Sequence, residues 1–395
     1  MNDIFLKDVI SKYKTPFYVF DTDILVRGIN RIKSVVGSNI DLCYAMKANP
    51  FIIKEIESNI DGFEVCSPGE FAICEKSEIS MDKVIMSGVF KNPKDIEYAI
   101  LSYGNKIVYT VESLLQLKLI AECTKKLKKK INVLLRLTAG NQFGMDETII
   151  NEIIVNRNEY EYIHIEGIQF YSGTQKKSAK KIVKELDMLD NFCEGLEREH
   201  GFTVEKLEYG PGLSVCYFEE DKDCEEETLN VLSDKLKNMK FKGKITLEMG
   251  RFIAAYCGTY ITSVVDMKEN KNQNYCIVDG GIHQVNYYGQ IMAMKKPYII
   301  HWNEENEGEE KEWNVCGSLC TVSDILVKQY PLKNLKLQDK LIFKKVGAYS
   351  ITEAMALFLS RDLPKVILYS KEKGFRLVRD SFLTSKLNYI QNTNN

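Results

Sequence analysis

Histidine is scarce in this chain, four residues in 395, and none of the eleven cysteines stands in a Cys-x-x-Cys pair. Zinc-type ligand spacing is therefore missing, and no metal site is expected. Net charge is nearly absent too: 53 basic against 55 acidic side chains leave a formal charge of -2. That offers no electrostatic footprint for nucleic acid or for an anionic membrane. The one basic run, Lys125 to Lys130, reads as a solvated helix end. No uncharged apolar run approaches the roughly 20 residues that span a bilayer. Asp3, Lys7 and Asp8 interrupt the stretch Met1 to Ile10 where a signal peptide needs an apolar core. An odd, scattered set of thiols suits a reducing compartment, so a cytoplasmic protein is expected. Internal repeats and low-complexity linkers are also missing.

What is present is alternation. The length corresponds to about two to three domains. After a short amphipathic helix and the strand Pro16 to Phe20, strand-like and helix-like runs follow one another, the pattern of βα units around a parallel sheet. Eight strands end near Lys47, Cys66, Gly88, Val111, Leu137, Tyr171, Gly210 and Gly250. Helical patterns separate them, such as Ser178 to His200, closed by Gly201. Eight such units predict a (β/α)8 TIM barrel over residues 22–255, with ligands at the carboxyl ends of the strands. First and last strands are neighbours in such a barrel, so Lys47 and Glu248 are expected to face one cavity. From about Tyr256 the β runs lose their intervening helices: Ile261 to Val265, Tyr275 to Val278, Tyr298 to Trp302, Trp313 to Val315, Lys340 to Phe343 and Val366 to Tyr369. This predicts a separate antiparallel β-sandwich or barrel domain over 256–395. The acidic stretches Asn303 to Glu312 and Glu219 to Glu227 read as solvated loops.

The first chemical motif is Tyr44-Ala45-Met46-Lys47-Ala48-Asn49-Pro50. Leu42, Tyr44 and Met46 alternate with Cys43 and Ala45, so a strand puts bulky groups on one face and small ones, then Lys47, on the other. A lysine among small apolar neighbours loses hydration and becomes an amine able to form a Schiff base. Alone, the motif reads better as a surface lysine closing a strand, because short patterns recur by chance. A second stretch, Glu248-Met249-Gly250-Arg251, changes that. Together the two resemble the fold-type III pyridoxal-phosphate enzymes, the group of alanine racemase and of the diaminopimelate and ornithine decarboxylases. The first is similar to their lysine motif, the second to the decarboxylases' Glu-Pro-Gly-Arg with methionine for proline. The resemblance runs in order over nearly the whole chain, and it places residues 1–21 with the β domain.

The resemblance implies a cofactor, pyridoxal 5'-phosphate, and a role for each matching residue. Lys47 becomes its covalent partner and Glu248 the counter-charge of the pyridine nitrogen. A carboxylate there favours decarboxylation, whereas the arginine of alanine racemase favours racemisation. Gly210-Pro211-Gly212 and Gly250-Arg251 end the last two barrel strands, where phosphate meets backbone N–H groups. Pro211 interrupts the family's three glycines and offers no N–H, which leaves more of the charge to Arg251. Gly347-Ala348-Tyr349 matches a motif whose tyrosine reaches the phosphate side. Gly167 to Gln175 is similar to the family's Gly-x-His-x-His-x-Gly-Ser without either histidine: Tyr171 falls at the ring-stacking position and Thr174 at the phosphate-binding serine. Glu64 matches an acidic position facing the cofactor. Arg136 matches a barrel arginine, its plain alternative being a charge paired inside the barrel mouth. Ser67-Pro68-Gly69-Glu70 reads physically as a capping box.

Cys316 to Asp324 resembles Gly-Pro-x-Cys-[Asp/Glu]-x-x-Asp, the loop that in the decarboxylases crosses a dimer interface. By that likeness Cys320 is the acid for the α-carbon, Cys316 is structural, and a homodimer is expected. Thr321 stands where the family carries the acid that meets a distal ammonium; Asp324 and Glu64 are the acids that could replace it. Near Tyr287 the arginine used for a distal carboxylate is replaced, which makes Tyr287 a candidate substrate contact. The expected enzyme is thus a pyridoxal-phosphate amino-acid decarboxylase for a small-molecule substrate with a neutral or masked far end. Presentation on a carrier protein is one form of masking, as in butirosin-type biosynthesis. The alternatives are a diaminopimelate or other free diamino-acid decarboxylase, a racemase of the same fold, and a cofactor-less regulatory relative.

Overall fold

The computed structural model describes residues 3–303 and 308–390, so the centre of the acidic stretch 303–312 lies outside the described residues. By its contacts the chain divides into two compact units, residues 26–215 with 223–253, and residues 1–25 with 216–222 and 254–395. The excursion of 216–222 was not foreseen. In chain order come a helix over Asp3–Lys12 and β1 (Phe17–Asp21). The barrel strands follow: β2 (Ile40–Ala45), β3 (Gly62–Val65), β4 (Val84–Met86), β5 (Val108–Val111), β6 (Ile131–Leu137), β7 (Ile163–Tyr171), β8 (Lys206–Gly210) and β9 (Lys244–Met249). All eight pair in parallel, in order, and β2 closes the barrel against β9.

Local chemistry starts and stops the outer helices where the sequence suggests. Ser67, Asn92 and Ser113 each accept a hydrogen bond from a first-turn N–H, and Pro68 and Pro93 open their helices. The long helix Ala179–His200 ends on Gly201 in the left-handed conformation. Lys125, Lys126 and Lys128 to Lys130 are exposed, as a solvated helix end requires. The acidic run from Glu219 is only partly loop: Glu225, Glu226 and Glu227 form the first turn of the helix Glu225–Lys237, where their charge complements the exposed N–H groups. Inside, the barrel departs from the usual branched apolar filling. Arg136, Gln169, Glu208 and Thr246 are successive register partners on β6 to β9, and all four are buried. A polar layer in a barrel interior marks where chemistry is expected.

The other unit is a nine-stranded sheet. Its further strands are β10 (Gly258–Asn270), β11 (Gln273–Val278), β12 (Ile299–Trp302), β13 (Glu310–Cys316), β14 (Ile325–Lys333), β15 (Lys340–Lys344), β16 (Lys365–Ser370) and β17 (Gly374–Arg379). The sheet is mixed, not purely antiparallel: β1 pairs in parallel with β16, and β11 with β13. β1 also pairs antiparallel with β10. Leu6 and Val9 of the first helix are buried with Phe17, Val19, Ile261, Ile342 and Ile367, each worth roughly 1.5–3 kcal/mol of burial. The two strands that sequence patterning missed, β14 and β17, are edge strands of the sheet. Pro331, Lys328, Arg376 and Arg379 break their alternation, the composition edge strands use. Among the described residues no helix is long and apolar enough to cross a membrane. Among the described residues no two cysteines form a disulfide.

Candidate active site

Lys47 sits just past β2, on a single 3-10 turn over Met46–Ala48; the sequence had placed it on the strand end itself. Asn49 holds that turn, accepting from the Phe51 N–H at 3.0 Å, while Tyr44 donates its hydroxyl to the Asn49 carbonyl at 3.2 Å. The expected small apolar surroundings are not what Lys47 meets. Its Nζ lies 2.8 Å from Glu64 Oε2, 3.5 Å from Glu248 Oε1 and 3.7 Å from Cys66 Sγ. Register explains the convergence. Glu64 pairs across from Ala45 on β3, and Glu248 across from Cys43 on β9, so both flanking strands deliver an acid to the same mouth.

The two carboxyls are driven apart. Burial pushes Glu64 up, but the Lys47 charge and hydrogen bond, the hydrogen bond with Glu248 and the Arg136 charge together outweigh that and hold it down at about 2. Glu248 is pushed well above the usual carboxylate range, by burial first and by the Glu64 charge second. The pair is thus pushed in opposite directions, Glu64 towards the ionised form and Glu248 towards the protonated one. Beneath them Glu208, also raised by burial, accepts from Gln169 Nε2 at 2.7 Å, and the same amide group reaches Ser87 Oγ at 3.4 Å. Glu208 and Gln169 escaped the sequence reading, although inward alternation with Tyr171 and Gly210 was a usable signal.

Tyr171 ends β7 directly beside Gly210. A Cβ on that glycine would come 2.5 Å from a ring carbon of Tyr171, so the phenol ring lies across the glycine. Burial raises the Tyr171 hydroxyl, with the nearby Glu248 charge adding to it. Thr174 follows on the next loop, where its hydroxyl accepts from Arg251 Nε at 3.3 Å. Gly212 has φ +61°, and a Cβ there would stand 2.0 Å from the Gly173 carbonyl oxygen. The two loops therefore meet backbone to backbone. Arg136 is paired: its guanidinium donates to Glu112 Oε1 at 3.1 Å, both side chains being nearly inaccessible, and it lies over the Phe143 ring. In the capping box Glu70 reaches back as expected but takes the Cys66 N–H, at 2.6 Å, which fixes the residue that flanks Lys47.

Cys320, Thr321, Asp324, Tyr287 and Tyr349 belong to the other unit. Cys320 is exposed and Thr321 half-buried on a tight turn, with the Asp324 N–H donating to the Thr321 carbonyl at 3.2 Å. Asp324 departs from its expected substrate role. It is buried, and its two carboxylate oxygens accept the N–H groups of Ile282 and Leu319 at 2.9 and 2.7 Å, which makes it the fastening of the Cys320 loop. Tyr287 departs likewise. Its hydroxyl donates to the Lys344 carbonyl at 2.7 Å and its ring packs against Tyr217 and Phe218, so it is a core side chain. Tyr349 has φ +65° and closes a turn through its carbonyl, which accepts from Glu353 N–H at 2.8 Å.

Residues 23–255 match the family model described as the pyridoxal binding domain of pyridoxal-dependent decarboxylases. Over most of its length the chain is 26% identical to the L-glutamyl-(BtrI acyl-carrier protein) decarboxylase of Niallia circulans, covering 93% of this chain and 91% of that protein. It is also 26% identical to a diaminopimelate decarboxylase of Methanocaldococcus jannaschii, covering 94% and 90%. Among solved structures, the diaminopimelate decarboxylase of M. jannaschii in complex with L-lysine superposes with a TM-score of 0.85 at 24% identity, covering 96% of this chain and 92% of that one.

Proposed function

Since this chain belongs to the pyridoxal-dependent decarboxylase family, and is thus a pyridoxal 5'-phosphate enzyme that decarboxylates an amino acid, we propose that Lys47 holds the cofactor and that the substrate has a neutral or masked far end. The donor set fits the group. Lys47 supplies an amine, Thr174 and Arg251 supply a hydroxyl and a guanidinium 3.3 Å apart beside the glycine loop, and Glu248 supplies a buried carboxyl whose pKa burial raises. When bound, the cofactor supplies an electron sink for the bond to the α-carboxylate. Glu248 would serve as the hydrogen-bond partner of the pyridine nitrogen, which would strengthen that sink. Glu64, 2.8 Å from Lys47 Nζ, holds the amine group of the free lysine in the barrel mouth by ion pairing. Tyr171 offers a ring face where relatives use an imidazole, without its positive charge. Thr174, Arg251 and the backbone of Gly212 hold the phosphate.

Cys320 is the proton donor to the α-carbon, delivered by a second copy of the chain in a homodimer. The substrate reading rests on Thr321. A hydroxyl facing a desolvated ammonium forgoes a charge-assisted hydrogen bond of about 1.5–3 kcal/mol, roughly ten- to a hundredfold in selectivity. Of the acids that could compensate, Asp324 is committed to two backbone N–H groups. A carrier-bound glutamyl group, the substrate in the name of the Niallia circulans relative, meets the requirement, because its far carboxyl is tied up. Carbon dioxide release should be compared across free diaminopimelate, lysine and ornithine and a carrier-linked amino acid. The proposal expects efficient turnover of the carrier-linked form alone; efficient turnover of any free diamino acid overturns it and restores the diaminopimelate-type alternative.

A further inference from the structure

Resting on the reading of Thr174, Gly212 and Arg251 as the phosphate site, we infer that Glu185, on the helix Ala179–His200, is the residue that positions this site. Three donors converge on its buried carboxylate: Ser172 Oγ at 2.5 Å on one oxygen, Lys176 Nζ at 2.6 Å and Tyr209 OH at 2.7 Å on the other. The geography of these donors carries the inference. Ser172 and Lys176 stand two residues before and two residues after Thr174, so one carboxylate holds both ends of the loop that presents the hydroxyl. Tyr209 immediately precedes Gly210-Pro211-Gly212, so the same carboxylate fixes the entry to the second loop.

Two further bonds seal the loops together. The Lys176 N–H donates to the Gly212 carbonyl at 2.9 Å. The Gln175 side chain accepts from Val215 N–H at 2.7 Å and donates to the Val215 carbonyl at 3.1 Å. Lys176 also lies over the Tyr209 ring, 5.6 Å from its centre, and its ammonium is almost wholly inaccessible. It neutralises Glu185, and so a buried carboxylate can sit behind an anion site without repelling the anion. Pro211 gives this network its purpose. With one backbone donor fewer in the second loop, the remaining donors must be held still, because a loose cup loses the advantage of preorganisation.

Glu185 touches neither phosphate nor reacting atoms, so it is a positioning residue, and its effect should fall on the phosphate alone. The test compares affinity for pyridoxal 5'-phosphate with affinity for pyridoxal, which lacks the phosphate, by absorbance titration of the purified apoprotein. Phosphate selectivity is the ratio of the two dissociation constants. Glu185→Gln should lower that ratio at least tenfold while leaving pyridoxal affinity within about twofold. Ser172→Ala, a milder change, should lower it about threefold. Where Glu185→Gln fails to fold because it strands the Lys176 charge, the double variant Lys176→Met/Glu185→Met removes both charges together and should show the same loss of selectivity. Arg251→Ala serves as the control. If it loses selectivity while the Glu185 variants keep the wild-type ratio, the inference is overturned and the phosphate site stands. If Arg251→Ala also keeps the ratio, the phosphate site itself is misplaced.

Discussion

Replacing Arg136 by methionine separates two roles that the sequence left open for it, substrate contact and structural pairing. Arg136 donates to Glu112 at 3.1 Å, with the two side chains 11% and 2% exposed, and the second oxygen of Glu112 is buried without a hydrogen-bond partner in the structure. Removing the guanidinium leaves a carboxylate in a low-dielectric site, which costs about 3–5 kcal/mol. Losing the contact with the Phe143 ring, 4.9 Å away, adds about 0.5–1 kcal/mol. At roughly 2–4 °C per kcal/mol for a unit of this size, the barrel transition should fall by about 7–24 °C. The double variant Arg136→Met/Glu112→Met removes both charges and should recover most of the loss. Differential scanning calorimetry of the three apoproteins gives the melting temperatures, and carbon dioxide release gives kcat/KM under conditions where all are folded. The pairing account predicts a large fall in Tm, its rescue in the double variant, and a kcat/KM within about fivefold of wild type. A Tm within 2 °C of wild type, with KM raised a hundredfold, refutes the reasoning and makes Arg136 a substrate ligand.

Gly212→Ala places a side chain where φ is +61° and a carbonyl oxygen lies 2.0 Å away. The left-handed conformation costs about 1–2 kcal/mol, the loops must part, and cofactor affinity measured by titration should drop at least tenfold; unchanged affinity removes the close approach from the phosphate site. The Glu64 carboxyl, pushed up by burial but pulled down further by Lys47, Glu248 and Arg136 together, sits at about 2 against an ordinary 4.5. A depressed acid contributes stability above its unfolded value and loses it as pH falls through the folded value. About 3 kcal/mol should therefore disappear between roughly pH 4.5 and pH 2. Urea unfolding in that window should show Glu64→Gln with a much flatter acid limb, and equal slopes contradict the ion pair. Mixing inactive Lys47→Ala with inactive Cys320→Ala should restore part of the activity, since one composite site in a heterodimer is intact. No recovery where subunits demonstrably exchange counts against a shared site.

Much of the barrel was legible because a parallel barrel repeats one simple signal. Each strand from β2 to β9 ends within a residue or two of its expected position, and the neighbourhood of first and last strands brought Lys47 and Glu248 together as topology requires. The second sheet was less legible. Its parallel pairs join strands far apart in sequence, and its edge strands carry the charges and the proline that patterning reads as loop. Motif residues were found where the resemblance supplied a template, but their partners were not. Glu185 lies in a helix whose buried face also holds Ile182, Leu186 and Leu189; its phase on that face was the available signal, while composition makes a helical glutamate look solvated. Asp324 and Tyr287 were taken for substrate ligands because a motif says which residue stands at a position, not which backbone N–H or carbonyl it faces.

The central claim is that Lys47, between Glu64 and Glu248, carries the cofactor. Reducing the holoenzyme with sodium borohydride, digesting it and locating the phosphopyridoxyl group by mass spectrometry tests that claim directly. The account predicts the modification on the peptide containing Tyr44 to Asn49, at Lys47, and none in Lys47→Ala. Stoichiometric modification of any other lysine, with Lys47 free, contradicts it.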